Sequence, residues 1–227
     1  MPRDDWVRLP SKKRSSGFLS TGGGLKGPKK GPIRTDSTEM WFETLVGIIV
    51  GIGLSSACGF RVFVPLLVMN LASLTGHLQL SPGFQWIGSD VATIVFGTAT
   101  ALEILAYYIP WLDHLLDLIA SPAAVIAGTI ATASMVMELS PLFKWTLAII
   151  AGGGAAAFIQ GATVTFRTKS TAITGGAANP LISTAETCGS IATSLLAILL
   201  PILCLSLLIL LSIWVIRKIG PFFFKRK

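Results

Sequence analysis

Residues 103–128 read EILAYYIPWLDHLLDLIASPAAVIAG. The stretch starts inside an apolar segment, breaks at Pro110, and sets Asp113 and Asp117 at helical i, i+4 spacing. A second apolar segment then opens at Ser121-Pro122. Carboxylates between two segments of membrane-grade hydropathy are costly in hydrocarbon, so they require partners, water or a task. Few other charges sit among the apolar segments: Arg61, Glu103, Arg167, Lys169 and Glu186.

Composition agrees with a membrane class. Of 227 residues, 52% are hydrophobic and 13% charged, against about 25% charged in soluble domains. Mean hydropathy is +0.72. The net charge of +7 invites a nucleic-acid reading until the charges are located. Half of the 18 Lys and Arg precede residue 35, and most of the rest crowd the C-terminus. That pattern belongs to basic tails resting against anionic lipid, and no nucleic-acid-binding module accompanies it. Cys58, Cys188 and Cys204 show no metal-ligand or redox spacing and read as small buried apolar residues.

Three parts follow along the chain. Residues 1–39, rich in Gly, Pro, Ser, Lys and Arg, form a basic arm expected to be disordered, with an organellar transit peptide as the alternative. Residues 40–218 form the transmembrane helical domain, and 219–227 a basic-aromatic interfacial tail. The first apolar block, residues 41–76, would be roughly 50 Å long as one helix, beyond a hydrocarbon core of about 30 Å. It should break between Gly51-x-Gly53 and Arg61, either as a kink or as a re-entrant half-helix. A loop at 75–90 lacks Lys and Arg and carries Trp86 as an interfacial anchor and His77 as a solvated residue. Then come a span from Val91 to Ile109, a short amphipathic helix after Pro110, and a span opened by Pro122. A span from Lys144 to Phe166 follows, and last a long run from Leu181 to Ile216 interrupted at Pro201. The hinge and packing positions are Gly51, Gly53, Pro110, Pro122, Gly152, Gly153, Gly154, Pro180 and Pro201. Simple counting yields five passes, whereas basic tails on one face require an even number. A fold-back near Pro201 or a re-entrant first block would resolve this.

Two weak echoes bear on topology. Residues 48–57 resemble 149–157, each followed by an arginine, and AGTIATAS at 127–134 is echoed by CGSIATSL at 188–195. With about three passes between copies the repeat would be inverted, as in many transporters.

Three runs carry a family resemblance: GIGLSSACGFRVFVPLL at 51–67, LEILAYYIPWLDHLLDLIASPAAVIAG at 102–128, and GGGAAAFIQGATVTFRTKSTAITGGAANPLISTAE at 152–186. Over residues 45–205 the chain resembles domain-of-unknown-function family 4126, small membrane proteins of bacterial and plastid lineages. The resemblance implies a polytopic membrane fold, in a bacterial inner membrane or a plastid-type membrane, and assigns no activity. Other branches of that family carry Ala-Asp-Lys ahead of the proline, where this chain has Ala106-Tyr107-Tyr108. Any role that needs that Asp or Lys therefore does not transfer.

The fold expected is an all-α polytopic bundle of four to six spans with at least one broken helix. Its polar centre would comprise Arg61, Glu103, Asp113, Asp117, Arg167 and Glu186. Glu103 with the two aspartates could handle a cation or proton through hard oxygen ligands. Alternatively, the aspartates stabilise a helix N-terminus and pair with Arg61 or Arg167. Ser170, Thr171, Ser183 and Thr184 could add hydroxyls beside Glu186. No hydrolase triad, zinc-protease motif or phosphate loop is present, and no cofactor or resident metal is expected. Two functions follow: a small transporter- or channel-like protein, or a non-catalytic accessory subunit of a larger membrane complex or homo-oligomer. Charges lining a hydrated cavity favour the first, and charges paired and dry favour the second.

Overall fold

The computed structural model describes residues 37–107, 109–137 and 139–224, with side chains at 37–40, 110–114 and 219–224 outside the description. The basic arm, apart from its last three residues, lies outside the described residues, as do the side chains of the 219–227 tail. Those three residues, 37–39, belong to the first helix.

The described residues form an all-α bundle. The helices are α1 (Ser37–Cys58), α2 (Phe63–Leu74), α3 (Asp90–Ala106), α4 (Pro110–Met135), α5 (Pro141–Leu147), α6 (Gly154–Thr174), α7 (Asn179–Leu199) and α8 (Pro201–Phe224). A π-helical turn, Ala148–Gly153, joins α5 to α6, and the three run as one span. Among the described residues five helices are long and apolar enough to cross a membrane.

Both over-long blocks fold back. α1 stops at Cys58, and the next residue, Gly59, lies against α6, where a Cβ would come within 2.6 Å of the Ala156 carbonyl oxygen. The chain turns through Arg61, and α2 runs back beside α3, where Asn70 donates to the carbonyls of Ile87 (2.6 Å) and Ser89 (3.0 Å). The first block is therefore a helix plus a returning half-helix. At the other end, Leu200-Pro201 separates α7 from α8, and the Cys204 thiol meets the Thr193 carbonyl oxygen at 3.8 Å. Residues eleven apart in one straight helix would be about 16 Å apart, so α8 reverses. It runs toward the α6 end that carries Arg167, stacking Trp214 on Phe166.

The centre of the bundle is built from small residues. A methyl on Gly51 would lie 2.9 Å from Thr132 Cα, on Gly128 2.6 Å from Ala156 Cβ, and on Gly53 2.6 Å from Ala197 Cβ. Ser55 donates to the Gly128 carbonyl and shares a 2.7 Å hydrogen bond with Thr132. Without a hydrophobic driving force between helices in lipid, such close backbone approach supplies the packing energy.

Several expectations need correction. Pro122 does not start a new span: α4 runs unbroken through it. In an apolar surrounding a proline forfeits one backbone hydrogen bond, and keeping the other turns intact costs less than exposing them. Gly154 is open, with nothing within 4 Å of a Cβ there, so it makes no packing contact within the bundle. Cys188 is exposed, unlike Cys58 and Cys204. The repeat is real in packing but not inverted. Gly51 and Gly152 both abut Thr132, and Ser55 and Ala156 both abut Gly128, so α1 and α6 flank α4 running in the same direction. Finally, α1 starts at the end of the bundle that holds Met135, while α8 runs toward Arg167 at the other. The described helices thus do not supply the even number of passes that the charge pattern asks for.

Candidate functional site: a buried charge cluster

At one end of the bundle the α1–α2 break, the end of α3, and the facing turns of α4, α6 and α7 converge. Arg167, Asp117 and Glu186 each sit about two helical turns inside their helix ends. Arg61 and Arg167 are 1% and 4% exposed, Glu186 and Glu103 6% and 7%. Charges buried to this degree survive only when paired or hydrogen-bonded: Arg61, Arg167 and Glu186 form ion pairs, and Glu103 accepts from backbone N–H groups.

Glu186 lies between the two guanidinium groups. It accepts from Arg167 and stands 3.9 Å from Arg61. Arg167 also donates to Asp117 at 2.9 Å. Arg61 is held further by α7, donating to the Ser183 carbonyl at 2.9 Å, to the Ser183 hydroxyl, and to Thr187 Oγ1 at 3.2 Å. The result is an alternating chain, Arg61–Glu186–Arg167–Asp117, that ties the α1–α2 break, α7, α6 and α4 together.

Tyr107, at the end of α3, lies between the two arginines. Its ring centre is 4.0 Å from the Arg61 guanidinium carbon and 4.2 Å from that of Arg167. Its hydroxyl reaches Asp117 at 3.3 Å. The negative face of an aromatic ring attracts a guanidinium, so one ring offsets the repulsion between two like charges. Glu103 is elsewhere in the arrangement. It accepts from the backbone N–H groups of Val62 (2.8 Å) and Phe63 (3.1 Å), capping α2 from α3. The first N–H groups of a helix lack internal partners, and a half-helix starting in an apolar interior needs this carboxylate.

Of the six residues expected at the polar centre, Arg61, Asp117, Arg167 and Glu186 meet directly. Glu103 serves the α2 terminus instead of forming a carboxylate set with the aspartates. Asp113 lies in α4, and its side chain is outside the described residues. Among the described residues no group of three His, Cys, Asp or Glu could hold a metal ion. Tyr107 and Thr187 were not foreseen from the sequence. Thr187 lies one helical turn beyond Ser183.

A family model described as a domain of unknown function matches residues 48–220. The chain belongs to domain-of-unknown-function family 4126. Neither a curated protein nor a solved structure matches it. The matched span includes α2 to α7 whole, half of α1 and most of α8, so every residue of the cluster lies within the family's domain.

Proposed function

We propose that this family member is a non-catalytic structural or accessory subunit of a larger membrane assembly. The observation that supports this is the closure of the charge cluster: its arginines and carboxylates are spent on one another, on Tyr107 and on the α2 terminus. A buried ion-pair chain of this kind sets helix register and does not need a ligand. Open glycines on outward positions, Gly97, Gly154 and Gly161, leave room for a partner helix to approach.

The transporter-like reading keeps one observation in its favour. Arg61 Nη1 and Glu186 Oε1 are buried atoms without a hydrogen-bond partner, which leaves polar capacity inside the cluster. Liposome flux decides between the two. The accessory reading expects cation and proton flux no faster than in empty liposomes, and comigration of the chain with a larger complex that disappears when the chain is deleted. Protein-dependent flux abolished by Glu186→Gln, in a protein that runs alone, would overturn it.

A further inference from the structure

At the end of the bundle opposite the charge cluster, a cavity of about 460 Å³ opens between the 75–89 loop and the start of the α5–α6 span. Ser81, Phe84, Met137, Lys144 and Trp145 are among its lining residues. We propose that it binds the phosphate of an anionic phospholipid headgroup, with Lys144 as the anchoring cation.

Four observations carry this. First, the cavity is built rather than incidental. The Ser81 N–H donates to the Ser134 carbonyl at 2.8 Å, pinning the loop on α4, and Phe84 packs on Trp145 with ring centres 6.1 Å apart. Second, among the described residues Lys144 is the lone Lys or Arg at this end, and none of the ion pairs found includes it. Its ammonium donates to the Ser81 hydroxyl and stands 5.0 Å from the Phe84 ring centre. An ammonium has three N–H donors, so one hydroxyl and one ring face leave it able to take an anionic oxygen. Third, Trp145, whose indole N–H is a donor only, is a lining residue of the same cavity. Fourth, Leu142 and Phe143, next to the cavity on the same turn, are 75% and 68% exposed. Acyl chains would lie along those residues while the headgroup enters the cavity, at the interfacial depth that tryptophan and lysine favour. A choline headgroup fits less well, since its own positive charge would approach Lys144.

The test is native mass spectrometry of the full-length chain in detergent, titrated with phosphatidylglycerol, with phosphatidylcholine, and with inorganic phosphate. One strongly retained phosphatidylglycerol is expected, with phosphatidylcholine held less. Lys144→Gln should weaken the phosphatidylglycerol step about fivefold, and Lys144→Arg should restore it, with unchanged melting temperatures showing that the fold is intact. Because both variants keep the basic tails, undiminished phosphatidylglycerol preference in Lys144→Gln would assign the effect to those tails and overturn the proposal. Equal retention of both lipids would also overturn it. Displacement of the lipid by equimolar inorganic phosphate would mark a free-phosphate site instead.

Discussion

Tyr107 shows how much one side chain can settle. Two buried guanidinium groups stacked on one ring would repel each other, and among the described residues Glu186 is the carboxylate paired with both. The ring face adds a second attraction for each arginine without adding another charge to desolvate. This separates the two contributions of the residue. Tyr107→Phe keeps both stacking contacts and loses only the 3.3 Å hydrogen bond to Asp117, and should cost about 1 kcal/mol or less. Tyr107→Leu removes both cation–π contacts and should cost about 2–4 kcal/mol. Thermal or denaturant unfolding of the two variants in the same detergent checks the order. Equal losses would mean that the hydroxyl, not the ring, holds the arginines.

At the scale of elements, the glycines divide into two groups that the sequence does not distinguish. Gly59, Gly128 and Gly51 each face another backbone or a Cβ at under 3 Å from an added methyl, while Gly154 and Gly161 face open space. Gly59→Ala and Gly128→Ala should therefore destabilise the bundle by about 1–3 kcal/mol through overpacking. Gly154→Ala and Gly161→Ala should be neutral, or stabilising by up to about 1 kcal/mol, from helix propensity alone. Unfolding midpoints of the four single variants provide the comparison. If Gly154→Ala behaves as Gly59→Ala does, the α6 outer face is in contact with something the isolated chain lacks. The continuous α4 teaches a related lesson. Pro122 suggests a boundary by local rule, yet the helix passes through, since in lipid the remaining turns have no alternative partner for their backbone groups.

For the molecule as a whole, the helix directions carry a prediction that charge counting opposes. α1 begins at the end carrying the 75–89 loop, and α8 runs to the end carrying Arg167 and Lys169. In a Cys188→Ser background, Glu43→Cys and His77→Cys should react with a membrane-impermeant maleimide from one side of sealed vesicles. Lys169→Cys and Lys218→Cys should react from the other. Labelling of all four from one side would contradict the reversal of α8 at Pro201. The two ends also differ in kind. One is closed by ion pairs, and the other keeps a lysine in a cavity.

Much of this was legible without coordinates. Apolar runs and the shortage of charge determine the all-α membrane class, because hydrocarbon admits few other backbone solutions. Charge placement picked out Arg61, Asp117, Arg167 and Glu186, because buried charges must find each other. Excess block length pointed to a break between Gly51 and Arg61, as a kink or a half-helix, and to an interruption at Pro201; that both blocks fold back, and that the first does so after Cys58, came from the structure. The sequence could not decide which carboxylate meets which arginine, that Glu103 caps α2, or that Tyr107 lies between two guanidinium groups. Nor could it tell that the repeated helices run in parallel. Those outcomes depend on where returning half-helices land, and that is decided by close contacts between residues as far apart as Gly59 and Ala156. Spacing along a single helix has no access to them.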